Sequence, residues 1–496
     1  MIWFSSVILA SILIFIIYLW LSKSIRLPGP WGLPILGYLP WLNPSKPYKT
    51  FAELSHKYGP VYSIQMGKHL AVVLTDPLIV RSALAKNELS DRSNFEFIDE
   101  IMQQHGIIFS NGELWKEQRK FVINWLKTIG MKKVGEKKNN LQKMIIDTVK
   151  SVISEMRKSN DKPLSVKNLL LLYLGDFMNL IVLGKSWPVK HPTWTYLRDL
   201  ATDGSKKFAI ASPLSVLPFL RIIPKYKDAA ADVLEGSRAT HNIYQQLMNK
   251  RTDDDLDKYE DLISVYLKKI KEMKNYDQQH YFSTKQCTFL SADIFGAGVE
   301  TTSDTLQWFL LYMALNKQIQ NELHNQLTTV SRNCEIIDLE MIDDVPYLKA
   351  CVYESMRLRP AAPAGIPRTV NKEVIISGYH IPKDTMIIPL IWGMHHNEKY
   401  WPNPSLYDPS RFIDSDGKII NNKAFMPFQA GQRTCVGKIL AYWIVFLFGA
   451  NIIHKFEVSL DSSLSEDEIE TIMDGDYGIT LEPGLHKLIF KPRQNI

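Results

Sequence analysis

Cysteine is scarce: the 496 residues hold four, Cys287, Cys334, Cys351 and Cys435. Their spacing is far too wide for a zinc knuckle or a disulfide-rich scaffold, so reduced thiols are expected. Valid glycosylation sequons are absent, because Asn43 and Asn403 each precede a proline. Excess charge of one sign is small, with 58 basic against 52 acidic side chains and a net +6. So slight and dispersed a surplus points away from nucleic acid as partner. No internal repeat or low-complexity linker interrupts the chain. With 46% hydrophobic and 22% charged residues, it is neither disordered nor a multi-span membrane protein.

One long apolar run is present, at the start. Ile2 to Leu21 carries no charge, and a helix of that length crosses roughly 30 Å of bilayer core. Trp3, Tyr18 and Trp20 sit near its ends, as interfacial rings do, and Lys23 and Arg26 follow, which favours a cytosolic body. A cleaved signal peptide fits less well, since the run is longer than the usual apolar core and lacks a basic lead. Prolines 28, 30, 34 and 40 then make a stiff connector.

Helical periodicity dominates from about Lys49 to Leu358. Short β-like runs occur at Val61–Met66, His69–Leu74, Val374–Ile376 and Met386–Pro389. Tyr477–Lys491 reads as a hairpin around Pro483-Gly484. The expected class is therefore mainly α with small sheets, in one large domain. Pro213 to Pro224 is apolar and proline-broken. It reads equally well as buried core or as a patch dipping into a membrane interface.

The chemistry converges on Phe428-Gln-Ala-Gly-Gln-Arg-Thr-Cys-Val-Gly437. Gly431 and Gly437 allow close backbone approach to a flat object and unusual φ values. Cys435 precedes a helical pattern from Lys438, whose first amides favour a thiolate, a soft ligand suited to iron. Arg433 is placed to meet an anion. The other three cysteines read as small hydrophobes.

Phe428 to Gly437 resembles the haem-thiolate signature of the cytochromes P450, Phe-x-x-Gly-x-x-x-Cys-x-Gly. The resemblance runs from the proline-rich hinge to Pro492. It is closest to the microsomal clan that includes vertebrate family 2, with arthropod-like details. It implies the mainly α cytochrome P450 fold, haem b held by Cys435, and O2 as co-substrate. Glu354-Ser-Met-Arg357 and Pro409-Ser-Arg411-Phe resemble the family's Glu-x-x-Arg and Pro-x-Arg-Phe motifs, which implies a structural ion network of Glu354, Arg357 and Arg411.

Ala297-Gly-Val-Glu-Thr-Thr302 lies in a helical stretch from about Thr284 to Asn316. Gly296 and Gly298 are costly there, which suggests a close approach, a kink or a helix–helix contact. By resemblance Ala297 passes over the haem, Thr301 hydrogen-bonds bound dioxygen, and Glu300 connects bulk protons. Trp115, Arg119 and Arg433 match propionate-binding positions, and so does Arg368.

The implied substrate pocket takes Phe97, Ile101, Ile107, Phe109, Phe295, Gly298, Ala362, Ala364, Ile366 and Ile479. This is an apolar list suited to a xenobiotic, steroid or fatty acid. The implied layout is a transmembrane anchor at 1–22, a basic, proline-rich hinge at 23–40 and a catalytic domain at 41–496. The domain would face the cytosol from the endoplasmic reticulum membrane. Electrons would come from NADPH through NADPH–cytochrome P450 reductase, with cytochrome b5 as a further donor. Lys116, Lys120, Lys127, Lys132, Lys133, Lys137, Lys138 and Lys438 would steer an acidic redox partner or form a solvated face. Gln432 and Lys120 depart from the basic residue and the arginine frequent in relatives. Intact Glu300 and Thr301 favour a monooxygenase over the alternative, a membrane-tethered haem protein that binds or senses lipophiles without turnover.

Overall fold

The computed structural model describes residues 27–493 except 94, 133, 189–190, 274–280 and 333. The expected anchor at 1–22 and the first residues of the hinge lie outside the described residues.

The helices that build the site are α1 (Pro47–Tyr58), α2 (Gly112–Thr128), α3 (Val166–Leu183), α4 (Pro192–Ala211), α5 (Pro224–Asn249), α6 (Thr284–Leu315), α7 (Pro346–Leu358) and α8 (Lys438–Lys455). The centre is α6. Ser283 caps it by accepting from the Gln286 amide at 3.1 Å. It is apolar on nearly every side, as suits a helix buried all round, and packs against α3, α7 and α8. Helices α3 and α8 are long and apolar enough to cross a membrane, yet both are mostly buried inside the body. They are core helices.

The runs expected as strands form β1 (Val61–Met66), β2 (His69–Leu74), β4 (Val374–Ile376) and β6 (Met386–Pro389), with β3 (Arg368–Thr369) and β5 (Tyr379–Ile381) added. The main sheet has the order β1-β2-β6-β3, with β2 and β6 parallel. Alternating burial explains β1, while β6 is buried throughout and reads as a continuous apolar run.

The expected hairpin around Pro483-Gly484 does not form. β8 (Asp476–Tyr477) turns back onto β9 (Leu481–Glu482), whereas β10 (Leu488–Pro492) pairs with β7 (Phe456–Leu460). Leu488 and Phe490 are buried beside Phe456 and Val458, so burial of one strand face set the pairing. Residues 213–224 split between the two readings: Leu214 and Leu217 are buried, while Phe219, Ile222 and Ile223 are exposed.

Candidate active site

Midway along α6, Gly296 and Ala297 are exposed although Phe295 and Val299 near them are buried. A Cβ added to Gly296 would meet nothing within 4 Å. The helix opens there onto a partly open cavity of about 240 Å³, walled by Leu171, Phe208, Val233, Phe295, Val299 and Ile479, with Lys167, Ser237, Glu300, Asp304 and Glu482 also on its lining. Thr301 lies on the adjoining stripe, four residues from Ala297. Its Oγ1 donates to the Ala297 carbonyl at 2.6 Å. Gly298 faces the other way, against Met178 of α3, where an added Cβ would come within 2.5 Å of Met178 Cε. Its small size serves a helix–helix contact, which corrects its expected place in the substrate pocket.

The Cys435 loop leads into α8, which Gly437 caps. The Cys435 amide donates to Phe428 O at 3.2 Å, and Phe428 meets Tyr442 edge-on at 4.9 Å. Cys435 has accessible surface although protein atoms enclose it on all sides, so its surface faces interior space. Burial pushes its thiol up, opposed by the Gly437 and Lys438 amides and by Arg119 and Lys438. Gly431 has φ +72°, and an added Cβ would lie 1.8 Å from Leu84 O. Gly437 needs no such freedom, because its φ is −85°. A Cβ there would meet only Cys435 Sγ, at 3.9 Å.

Above α2 four guanidiniums gather. Arg368 is pulled down by burial, then by Arg92, Arg433 and Arg119. None of the four has a carboxylate in ion-pair reach among the described residues, and Asp91 offsets Arg433 only from a distance. Arg368 Nη2 donates to Gln429 Oε1 at 2.7 Å, while its Nε and Nη1 and the Trp115 Nε1 are buried without partners. Arg119 donates to Thr434 O at 2.7 Å. Arg433 stacks over Trp115 at 3.9 Å and donates to Ser90 O and Ser110 O at 2.7 and 2.6 Å. Arginine stays protonated in proteins, so such a cluster demands anions. Orphaned guanidinium and indole donors beside the Cys435 loop fit a group bearing carboxylates, as haem does.

Glu354, Arg357 and Arg411 do meet. Arg357 Nε and Nη2 donate to Glu354 at 2.6 and 2.8 Å with both side chains fully buried, and Arg411 Nε lies 3.3 Å from Glu354 Oε1.

The pocket residues divide. Phe295 and Ile479 line the cavity. Phe97 and Ile101 instead pack in a satellite core with Ala211, Leu214, Ala229 and Ala230, because the 213–224 segment folds its buried half over them. Ile107 is buried in the main core, its amide donating to Asp293 at 2.6 Å. Phe109, Ala362, Ala364 and Ile366 are half-buried and outside the cavity lining. Of the lysine run, Lys116, Lys137 and Lys138 pair with Glu113, Glu260 and Glu340, so part of it is locally neutralised. Lys133 lies outside the described residues.

Sequence reasoning missed Arg92, which donates to Ile108 O, Ile366 O and Pro367 O at 3.0, 2.9 and 3.1 Å. It also missed Asp293, and the α4 and α5 side of the cavity. No local motif marks these residues; only the packing brings them in.

The cytochrome P450 family model matches residues 27–490. Cytochrome P450 306a1 of Drosophila melanogaster is 31% identical, over 93% of this chain and 88% of its own. Cytochrome P450 18a1 of the same fly is 28% identical over 96% and 89%. Cytochrome P450 2K1 of Oncorhynchus mykiss is 28% identical over 93% and 90%. A whole-body match of this kind, on a fold whose interior fits haem, identifies the chain as belonging to the cytochrome P450 family of haem monooxygenases.

Proposed function

We propose that this enzyme inserts one atom of O2 into a lipophilic substrate, a xenobiotic, steroid or fatty acid, with electrons from NADPH passed on by a reductase. The observation that carries the reading is the largely apolar cavity beside the opened stripe of α6.

Haem bound through Cys435 would supply the oxygen-activating chemistry. The chain's own residues would do the rest. Arg119, Arg368 and Arg433, with Trp115 Nε1, would hold two carboxylates in charge-assisted bonds. Phe428, Gly431, Gly437 and Ala297 would leave room for a flat ring. Thr301 Oγ1 would turn from Ala297 O to hold a proton over that face, and Glu300 would pass it protons from the cavity side. The apolar walls would exclude bulk water. Glu354, Arg357 and Arg411 would lock the fold beneath.

In the proposed layout, 1–22 anchors the chain in the endoplasmic reticulum membrane, 23–40 is the hinge and 41–496 the catalytic domain facing the cytosol. Exposed Trp31, Ile35 and Trp41 support this, as do Phe219 and Ile222. The two groups share a side, since Gly67 donates to Leu36 O and lies against Val216 O. Exposed Lys120, Lys127 and Lys438 are what an acidic reductase or cytochrome b5 would meet.

The test is reconstitution with reductase, NADPH and isotopically labelled O2, reading substrate oxygenation by mass spectrometry. One labelled atom per product is expected. Cys435→Ala should lose the red-shifted band of the reduced, CO-bound protein, while the Cys287, Cys334 and Cys351 variants keep it. Thr301→Ala should keep consuming NADPH while product falls roughly tenfold, a change equivalent to about 1.4 kcal/mol in the productive barrier. Unlabelled product, or a Cys435→Ala spectrum like the wild type, would reject the reading.

A further inference from the structure

Helix α6 carries another acid that none of these roles uses. Asp304 follows Glu300 by one turn, on the stripe Gly296, Glu300, Asp304, and it lines the same cavity. It is 3% exposed, and its Oδ2 has no donor in full hydrogen-bond geometry among the described residues, although the Thr480 hydroxyl is close enough to favour its charged form. Its Oδ1 has only a long contact from Gln307 Nε2, at 3.4 Å. Burial, then the carboxylates of Glu300 and Glu482, hold Asp304 well above the usual carboxylate range, against the Thr480 hydroxyl and Lys167. Lys167 is committed elsewhere, with its Nζ 2.5 Å from Glu482 Oε2. Burial thus favours the neutral form of Asp304, on a wall it shares with Lys167, Ser237, Glu300 and Glu482 as well as with apolar side chains. In that state it can donate one hydrogen bond and accept others.

A buried polar group left unmatched costs stability, so a site that keeps one gains from a ligand that satisfies it. We propose that Asp304 orients the substrate, its carboxyl exchanging hydrogen bonds with a hydroxyl or carbonyl oxygen of an oxygenated lipophile. Ala297 and Thr301 lie three to seven residues back along the helix, roughly 5–10 Å. The bound oxygen function would thus stand about that far from the part of the molecule presented to them. This rests on the cavity being the substrate pocket, and it narrows the substrate from any lipophile to one carrying an oxygen function. A neutral acid favours such a group over an ammonium, which would need a charged Asp304.

The test compares three probes of one shape, 1-adamantanol, 1-methyladamantane and 1-adamantylamine, binding to the full-length, haem-loaded protein. Dissociation constants are read by calorimetry, without turnover. The wild type should bind the alcohol at least fivefold tighter than the methyl compound. Asp304→Leu should erase that preference while binding the methyl compound within twofold of the wild type. Asp304→Asn, which still donates and accepts, should keep the preference. Melting temperature checks folding, and the leucine variant should match or exceed the wild type because it removes an unmatched polar group.

An alcohol preference that survives in Asp304→Leu overturns the proposal. So does tightest binding of the amine that disappears in Asp304→Asn, which would make the site an anionic one. Equal binding of alcohol and methyl compound by the wild type sinks the Asp304 role alone. Failure of the wild type to bind any probe sinks the pocket reading with it.

Discussion

Replacing Glu354 by alanine would strand two arginines, Arg357 and Arg411. Glu354 accepts from Arg357 Nε and Nη2 at 2.6 and 2.8 Å and from the Asp408 amide at 3.0 Å, and its Oε1 is 3.3 Å from Arg411 Nε. Arg357 keeps its bonds to His395 O and Pro404 O, at 2.8 and 2.9 Å, but as a fully buried cation without a counter-charge. Breaking such a pair costs about 3–5 kcal/mol, a large share of the roughly 5–15 kcal/mol that holds a typical domain together. Urea unfolding followed by tryptophan fluorescence reads the change, and Trp401 is a local reporter because the Arg357 guanidinium sits 5.2 Å from its ring centre. Removing both partners in Glu354→Leu/Arg357→Leu should recover part of the loss, because the stranded buried charge is gone. A Glu354→Ala protein within about 1 kcal/mol of wild type, or a strictly additive double variant, would refute the reasoning.

Gly431→Ala should lose more than about 2 kcal/mol from strain and the clash with Leu84 O, while Gly437→Ala should unfold like the wild type; equal midpoints for the two would count against it. Asp293 is raised by burial from 3.8 to about 7, so the unfolded chain ionises first and this group's contribution to stability falls as pH rises through that window. Asp293→Asn should remove that slope, and parallel stability–pH curves would contradict the assignment. A protein lacking residues 1–24 should still float with liposomes, and Phe219→Asp/Ile222→Asp/Ile223→Asp in that background should release it. Continued flotation of the triple variant would move the membrane contact elsewhere.

Short-range patterns in the chain were enough for much of this. The Cys435 signature, the i, i+3 pair of Glu354 and Arg357, and the strands at 61–66, 69–74, 374–376 and 386–389 are written in local spacing, because backbone periodicity and turn chemistry act over a few residues. Long-range choices were not legible. Two apolar stretches of equal appearance, at 213–217 and 218–223, went one inside and one outside, since burial depends on what lies opposite. β10 chose β7 rather than its sequence neighbour.

The substrate side shows the same division. The sequence by itself determined the family, and it singled out the Ala297–Thr302 motif on α6. Only the tertiary structure decided that Gly298 serves helix packing, that Phe97 and Ile101 belong to a satellite core, and that Asp304 stands on the cavity wall with an unmatched oxygen. A side chain's burial and its partners are properties of the assembled interior, where residues far apart in the chain supply or withhold each hydrogen bond.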